Sequence, residues 1–365
     1  MRNYKKAIII IAVLLVGGGL GFVIFGFTTA GSFQNSFNIT YEPISPDPIE
    51  DLTFNADIGS LVFKYNTSPT LLEIYAEIDV NIEVSGWYME GKSYVDFFNP
   101  STEWWDSATG TFNLLTLPDV WFDPSHWFKT YNVNIVVTLR TDIVYDLTVL
   151  TSVGSIEMLV PDGVILNGTS FTSSTGSIKL DTLGNNEFLG KVKLESSTGS
   201  VESYAAKTNF TRGFQALAST GSLTLNYTNC LMGDNLIGTV STGSVTFKSY
   251  NMVYTKDINL NLETSTGSID SELYQYISMG ANVTGTWETS TGSIDVFYRD
   301  NLVNTDVRFI GSIGPGSINY TPHFSMNITS FGSIYSTLDY GDAMYRYLFS
   351  LDTSTGSIYA NAQSS

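Results

Sequence analysis

One short unit, Gly-Ser-aliphatic, recurs at Gly154, Gly176, Gly199, Gly221, Gly243, Gly267, Gly292, Gly316, Gly332 and Gly356. The spacings are 22, 23, 22, 22, 24, 25, 24, 16 and 24 residues. An outlying copy, Gly59-Ser60-Leu61, lies 95 residues before the first of the series. A near-constant period of this length marks a repeat architecture, in which each unit buries its apolar side only by stacking on the next.

Each unit reads as β structure. Behind the glycine, Ile178/Leu180, Leu223/Leu225, Val245/Phe247 and Ile294/Val296 alternate with polar residues. Period two gives a strand with one buried face. A second short segment precedes the glycine, as in Val192-Lys193-Leu194 or Ile258 to Leu262, and polar breaks such as Gly184-Asn185-Asn186 and Gly233-Asp234-Asn235 fall mid-unit. No helical period is present after residue 50, so the expected fold class is all-β.

A sandwich and a β-solenoid both fit short strands with regular turns. The repeat favours the β-solenoid (β-helix), with coils of about 22–24 residues. Equivalent residues of successive coils then lie about 4.8 Å apart. Stacked hydroxyls satisfy one another and stacked carboxylates repel, which accounts for a chain only 14 % charged and rich in Ser-Thr-Gly-Ser.

The copies Ser174 to Ile178, Thr264 to Ile269, Thr289 to Ile294 and Thr353 to Ile358 read STGSI or TSTGSI. They follow a lead-in of Val136 to Leu139, Tyr145 to Val149 and Gly154-Ser155-Ile156. In these motifs the chain resembles the putative-adhesin family of bacterial and archaeal surface proteins, which carry tandem STGSI/SSGDI β-helical coils. The resemblance covers roughly residues 51–365. It departs where Gly-Ser replaces the commoner Gly-Asp and where residues 85–131 form an insertion. It implies a β-helical domain and a surface role in adhesion.

Residues 7–27 contain no charge, and at 1.5 Å per residue they match a hydrocarbon core of about 30 Å. Arg2, Lys5 and Lys6 precede them, and the next charged residue is Glu42. The positive-inside rule places residues 1–6 in the cytoplasm and the bulk of the chain outside, at the plasma membrane in a single pass. A cleaved signal peptide is the competing reading, with small residues at Thr28-Thr29-Ala30, but its apolar region is usually shorter. The net charge of −18 then splits into +3 inside and −21 outside. So acidic a chain excludes the cationic footprint that nucleic-acid binding needs. Residues 28–50, with three prolines, read as a linker; residues 51–150 as a β-rich N-terminal part; residues 151–365 as the repeat array.

Five of the six tryptophans fall within residues 85–131. This aromatic segment is expected to cap the open end of the array. The alternatives are a ligand platform built on Trp104, Trp105, Trp121 and Trp127, suited to surface glycans or another envelope protein, or insertion into the membrane face. The last coil, ending at Ile358-Tyr359-Ala360 with no capping element behind it, is expected to present a raw edge.

Glu263 and Asp270 occupy the same positions, Gly−4 and Gly+3, as Glu288 and Asp295 in the next unit. Stacking would gather these four acids, giving either a solvated acidic patch or a weak Ca²⁺ site. No cofactor motif and no catalytic constellation are found. His126, His323 and the lone Cys230 lack partners in sequence for nucleophilic or zinc chemistry. Eight N-x-[ST] acceptors (Asn38, Asn66, Asn167, Asn209, Asn226, Asn282, Asn319 and Asn327) are about what chance supplies. The expected function is that of a membrane-anchored, non-catalytic adhesin or envelope structural protein. The alternative is a carbohydrate-binding or sensory ectodomain.

Overall fold

The computed structural model describes residues 30–43, 47–68, 73–118, 129–300, 305–313, 317–320, 324–329, 332–337 and 344–364. Among them the protein is all-β, and the only helical turns are 3₁₀ segments at Tyr94–Asp96 and Ser101–Glu103. No helix of the described residues is long and apolar enough to cross a membrane. The apolar segment 7–27 lies outside them.

The repeat glycine separates two strands, and each strand joins its own parallel ladder, so the architecture is β-helix-like. The ladder before the glycine runs through Ile165–Thr175, Val192–Thr198, Phe214–Thr220, Leu236–Thr242, Ile258–Thr266 and Val283–Thr291. The ladder after it runs through Ile178–Thr182, Val201–Ala206, Leu223–Thr228, Val245–Tyr250, Ile269–Gln275 and Ile294–Asp300. The mid-unit segments contribute a third, short ladder: Glu187–Phe188, Asn209–Phe210, Leu231–Met232 and Val253–Tyr254. All pairings are in register, so like stacks on like. Ile178, Val201, Leu223, Val245, Ile269, Ile294 and Ile358 form one buried column. Phe188 and Phe210 stack at 5.3 Å.

Glycine is required at the corner for two reasons. The column Gly59, Gly154, Gly176, Gly199, Gly221, Gly243, Gly267, Gly292 and Gly356 has φ between +139° and +153°, a region costly for any residue with a Cβ. A Cβ at Gly176 would also lie 2.0 Å from the Gly154 carbonyl oxygen. Gly316 lies outside the described residues. Gly332 departs from the column: it opens Gly332–Thr337, which pairs antiparallel with Phe324–Thr329 and with Thr305–Ile313. Its 16-residue spacing is too short for another full unit.

The order of units in space differs from their order in sequence at both ends. Glu50–Ile58 and Ser60–Asn66 stack directly on Tyr145–Val153 and Ile156–Val160. Two strands of the intervening chain and one that precedes Glu50 extend the sheet outward at this end: Thr130–Arg140 pairs with Ser60–Asn66, Ala76–Trp87 with Thr130–Arg140, and Ala30–Tyr41 with Ala76–Trp87. The expected linker at 28–50 is thus largely a docked edge strand. Its apolar alternation (Phe33, Phe37, Ile39) packs onto the aromatic insertion and the core.

At the other end, Tyr345–Thr355 lies between Val283–Thr291 and Thr305–Ile313, and Ile358–Ser364 lies between Ile294–Asp300 and Ile318–Tyr320. The C-terminal unit is therefore paired on both sides. The raw edge expected there is not present, because Thr305–Ile313 and Ile318–Tyr320 pair over it.

Candidate functional site

The repeat pentapeptide divides its hydroxyls by position. The residue three before each glycine points inward. Ser173, Ser196, Thr264, Thr289 and Thr353 are buried, and each donates to the carbonyl of the corner glycine in the adjacent unit of the stack at 2.7–3.1 Å. The next two residues, as in Ser265-Thr266 and Ser290-Thr291, are exposed. The serine after the glycine accepts from the backbone N–H of its counterpart one unit on, as at Ser200 to Ser177 and Ser293 to Ser268. Most of the motif is thus structural: it satisfies backbone groups at a corner where the ladder bonds end.

The described part of the aromatic insertion is packed against the core. Trp104 is fully buried, donates Nε1–H to the Asn99 carbonyl at 2.8 Å, and meets Phe37 edge-on at 4.8 Å. It offers no face to a ligand, which corrects its place in the expected platform. Trp105 is half-buried against Tyr41. Trp121, Trp127, His126 and His323 lie outside the described residues.

The four acids do not converge. Glu263 opposes Glu288 in the ladder before the glycine, and Asp270 opposes Asp295 in the ladder after it. Among the described residues no three His, Cys, Asp or Glu side chains are placed to hold a metal ion. Burial, and then the neighbouring Asp270 carboxylate, push the Asp295 carboxyl above its ordinary value. Asp352 extends the first column by pairing opposite Glu288. It too sits four residues before its glycine, but its unit is remote from Glu288 in sequence and adjacent only in space.

A second aromatic group escaped the sequence reading. Tyr250, Tyr274, Tyr276 and Phe297 contact one another at 5.5–6.2 Å on the outer side of the ladder after the glycine. Tyr250 is 42 % exposed. Beside them Lys248 pairs with Glu272 at 2.6 Å, which raises the lysine's pKa, and the Tyr274 hydroxyl donates to Glu272. The signal was available, since Tyr250 and Tyr274 both stand seven residues after a repeat glycine. Cys230 is buried, and burial pushes its thiol up to about 11.

No family model matches the chain, and no curated protein matches it. Among solved structures it is similar to a chain from Clostridium sporogenes named as a putative cell adhesion protein. The identity is 11 %, the match covers 91 % of this chain and 100 % of that one, and the TM-score is 0.21. A TM-score of that size carries no assignment of fold or role to this chain.

Proposed function

We propose that this chain is a single-pass, membrane-anchored surface protein whose exported part is a stiff β-solenoid with a non-catalytic adhesive or envelope-structural role. The observation that carries the reading is the glycine column. Nine units stack in register through mutually excluding glycines, and the chain enters that stack behind an uncharged segment flanked by Arg2, Lys5 and Lys6. A stack of this kind holds its side faces and far end at fixed positions relative to the anchor. The test is fractionation of expressing cells with protease treatment of intact cells, followed by attachment assays against a deletion strain. Membrane retention, protease accessibility and lost attachment or envelope integrity support the reading. A chain recovered in the cytosol overturns it.

A carbohydrate-binding reading is favoured by one observation, the outward-facing group of exposed Tyr250 and half-buried Tyr274, Tyr276 and Phe297 with its hydrogen-bonding Glu272. Aromatic faces flanked by polar groups suit sugar rings. Glycan-array binding that is lost in a folded Tyr250→Ala/Tyr274→Ala variant would select this reading.

A further inference from the structure

Ala30–Tyr41 is the end member of its sheet. It pairs along its whole length with Ala76–Trp87 and, among the described residues, has no partner on its other edge. The ladder bonds run along the stacking direction, so this open edge forms the N-terminal end face of the stack. At about 3.4 Å per residue the strand is roughly 41 Å long. It contains no Lys, Arg, Asp, Glu or Pro, although open edges are normally protected by charge, proline or bulges.

The strand is firmly held. Phe33 stacks on Phe97 at 5.6 Å, Phe37 meets Tyr94 at 4.7 Å, and the Tyr41 hydroxyl donates to Glu50 at 2.8 Å. An uncharged, rigid and unpaired edge needs a covering that accepts from its N–H groups and donates to its carbonyls.

The sequence names that covering. The apolar segment ends at Phe27, and only Thr28 and Thr29 separate it from the strand. Three Cα steps span at most about 11 Å, so a span ending at Phe27 brings Ala30 to the headgroup layer. Resting on the anchored reading above, we infer that Ala30–Tyr41 is a membrane-facing foot that seats the end of the stack on the bilayer. Its outward N–H groups donate to headgroup phosphate and ester oxygens and to interfacial water. Its outward carbonyls accept from water and headgroup donors. The stack then stands away from the membrane, with Thr305–Ile313, Ile318–Tyr320, Phe324–Thr329 and Gly332–Thr337 at its far end. A second copy paired edge to edge would point its stack the opposite way, which two anchors in one bilayer forbid.

The test uses the full chain in phosphatidylcholine vesicles containing headgroup-spin-labelled lipid. Single fluorophores are placed at Ser32→Cys, Ser36→Cys, Ser177→Cys and Ser265→Cys. Buried Cys230 leaves the parent chain as an unlabelled control. Ser265 belongs to a unit nine strand spacings from the foot, about 43 Å away. The expected result is quenching several-fold stronger at Ser32 and Ser36 than at Ser177, and none at Ser265. Equal quenching at all four sites overturns the inference, because the stack then lies flat. Unquenched Ser32 and Ser36 in a carbonate-resistant chain overturn the foot alone. Release by carbonate overturns the anchor and the foot together, and Ser36-to-Ser36 cross-linking overturns the foot in favour of self-pairing.

Discussion

The Thr289 hydroxyl donates to the Gly267 carbonyl one unit away at 2.9 Å. The bond ties the two defining features of the repeat together. The glycine turns the corner, and its carbonyl is met by a hydroxyl three residues ahead of the next glycine. Two units that stack on an earlier corner glycine lack the donor, with Ala218 and Val240 at the equivalent buried positions. Thr289→Val should therefore cost about 1–3 kcal/mol, the penalty for a buried acceptor left without its partner. The reverse change, Val240→Thr, is nearly isosteric and should gain about 0.5–1.5 kcal/mol by supplying the missing donor. Urea unfolding midpoints at constant m-value check both.

Gly267→Ala should be far more damaging than an ordinary loop glycine change. Its Cβ would lie 2.0 Å from the Gly243 carbonyl oxygen, at φ +144°. The backbone of two units must move, and a loss above about 3 kcal/mol follows. Gly163→Ala, also at positive φ (+83°) but facing open space, should lose only about 1–2 kcal/mol. Equal losses at the two positions would remove the steric argument.

Much of this architecture was legible in the sequence because the glycine and its hydroxyls are local requirements repeated at a fixed period. All-β structure and the inward alternation around Ile178 and Leu180 follow from pattern alone. What was not legible is the spatial order of units. Nothing local tells Ile358 that it pairs with Ile294 and also with Ile318; that is settled by which backbone edges remain open once Thr305–Ile313 and Ile318–Tyr320 take the outer places. The same cause hid Asp352 beside Glu288. The platform alternative for Trp104 could not be dismissed from sequence for a different reason, since an aromatic cluster reads alike whether its rings face ligand or core.

The Asp270–Asp295 pair carries a pH prediction. The folded-state pKa of Asp295 is raised, so its ionised form is disfavoured by folding. The penalty is absent below the ordinary carboxylate value of about 3.9, grows as pH rises towards the raised value, and is complete above it. Asp295→Asn should thus stabilise the protein at neutral pH by about 0.2–1 kcal/mol, the scale of a cross-strand pair. The advantage should fade on acidification to about pH 3. Thermal melts of both proteins across that range provide the check, and a gain that persists at low pH would contradict it.

Trp104→Ala should act on stability. Emptying a fully buried indole that bonds to the Asn99 carbonyl should cost about 3–5 kcal/mol and loosen the cap, exposing Phe37 and Tyr94. Hydrogen exchange should rise first in Ala30–Tyr41 and Thr111–Leu114, while the central units stay protected.

Removal of one whole unit tests the solenoid reading directly. Deleting residues 200–221 joins Gly199 to Ser222, restoring the Gly-Ser corner and placing Leu223 beside Ile178 in the buried column where Val201 stood. In a stack held by nearest-neighbour contacts this removes one layer and creates no new kind of interface. The shortened protein should fold, melt cooperatively at a lower temperature, and lose about 4.8 Å of length by small-angle scattering. Deleting only residues 200–210 breaks the period, placing Thr211 where Ser200 stood and the charged Arg212 in the buried column where Val201 stood, so that chain should not fold. If both deletions behave alike, the units are not interchangeable layers and the solenoid reading fails.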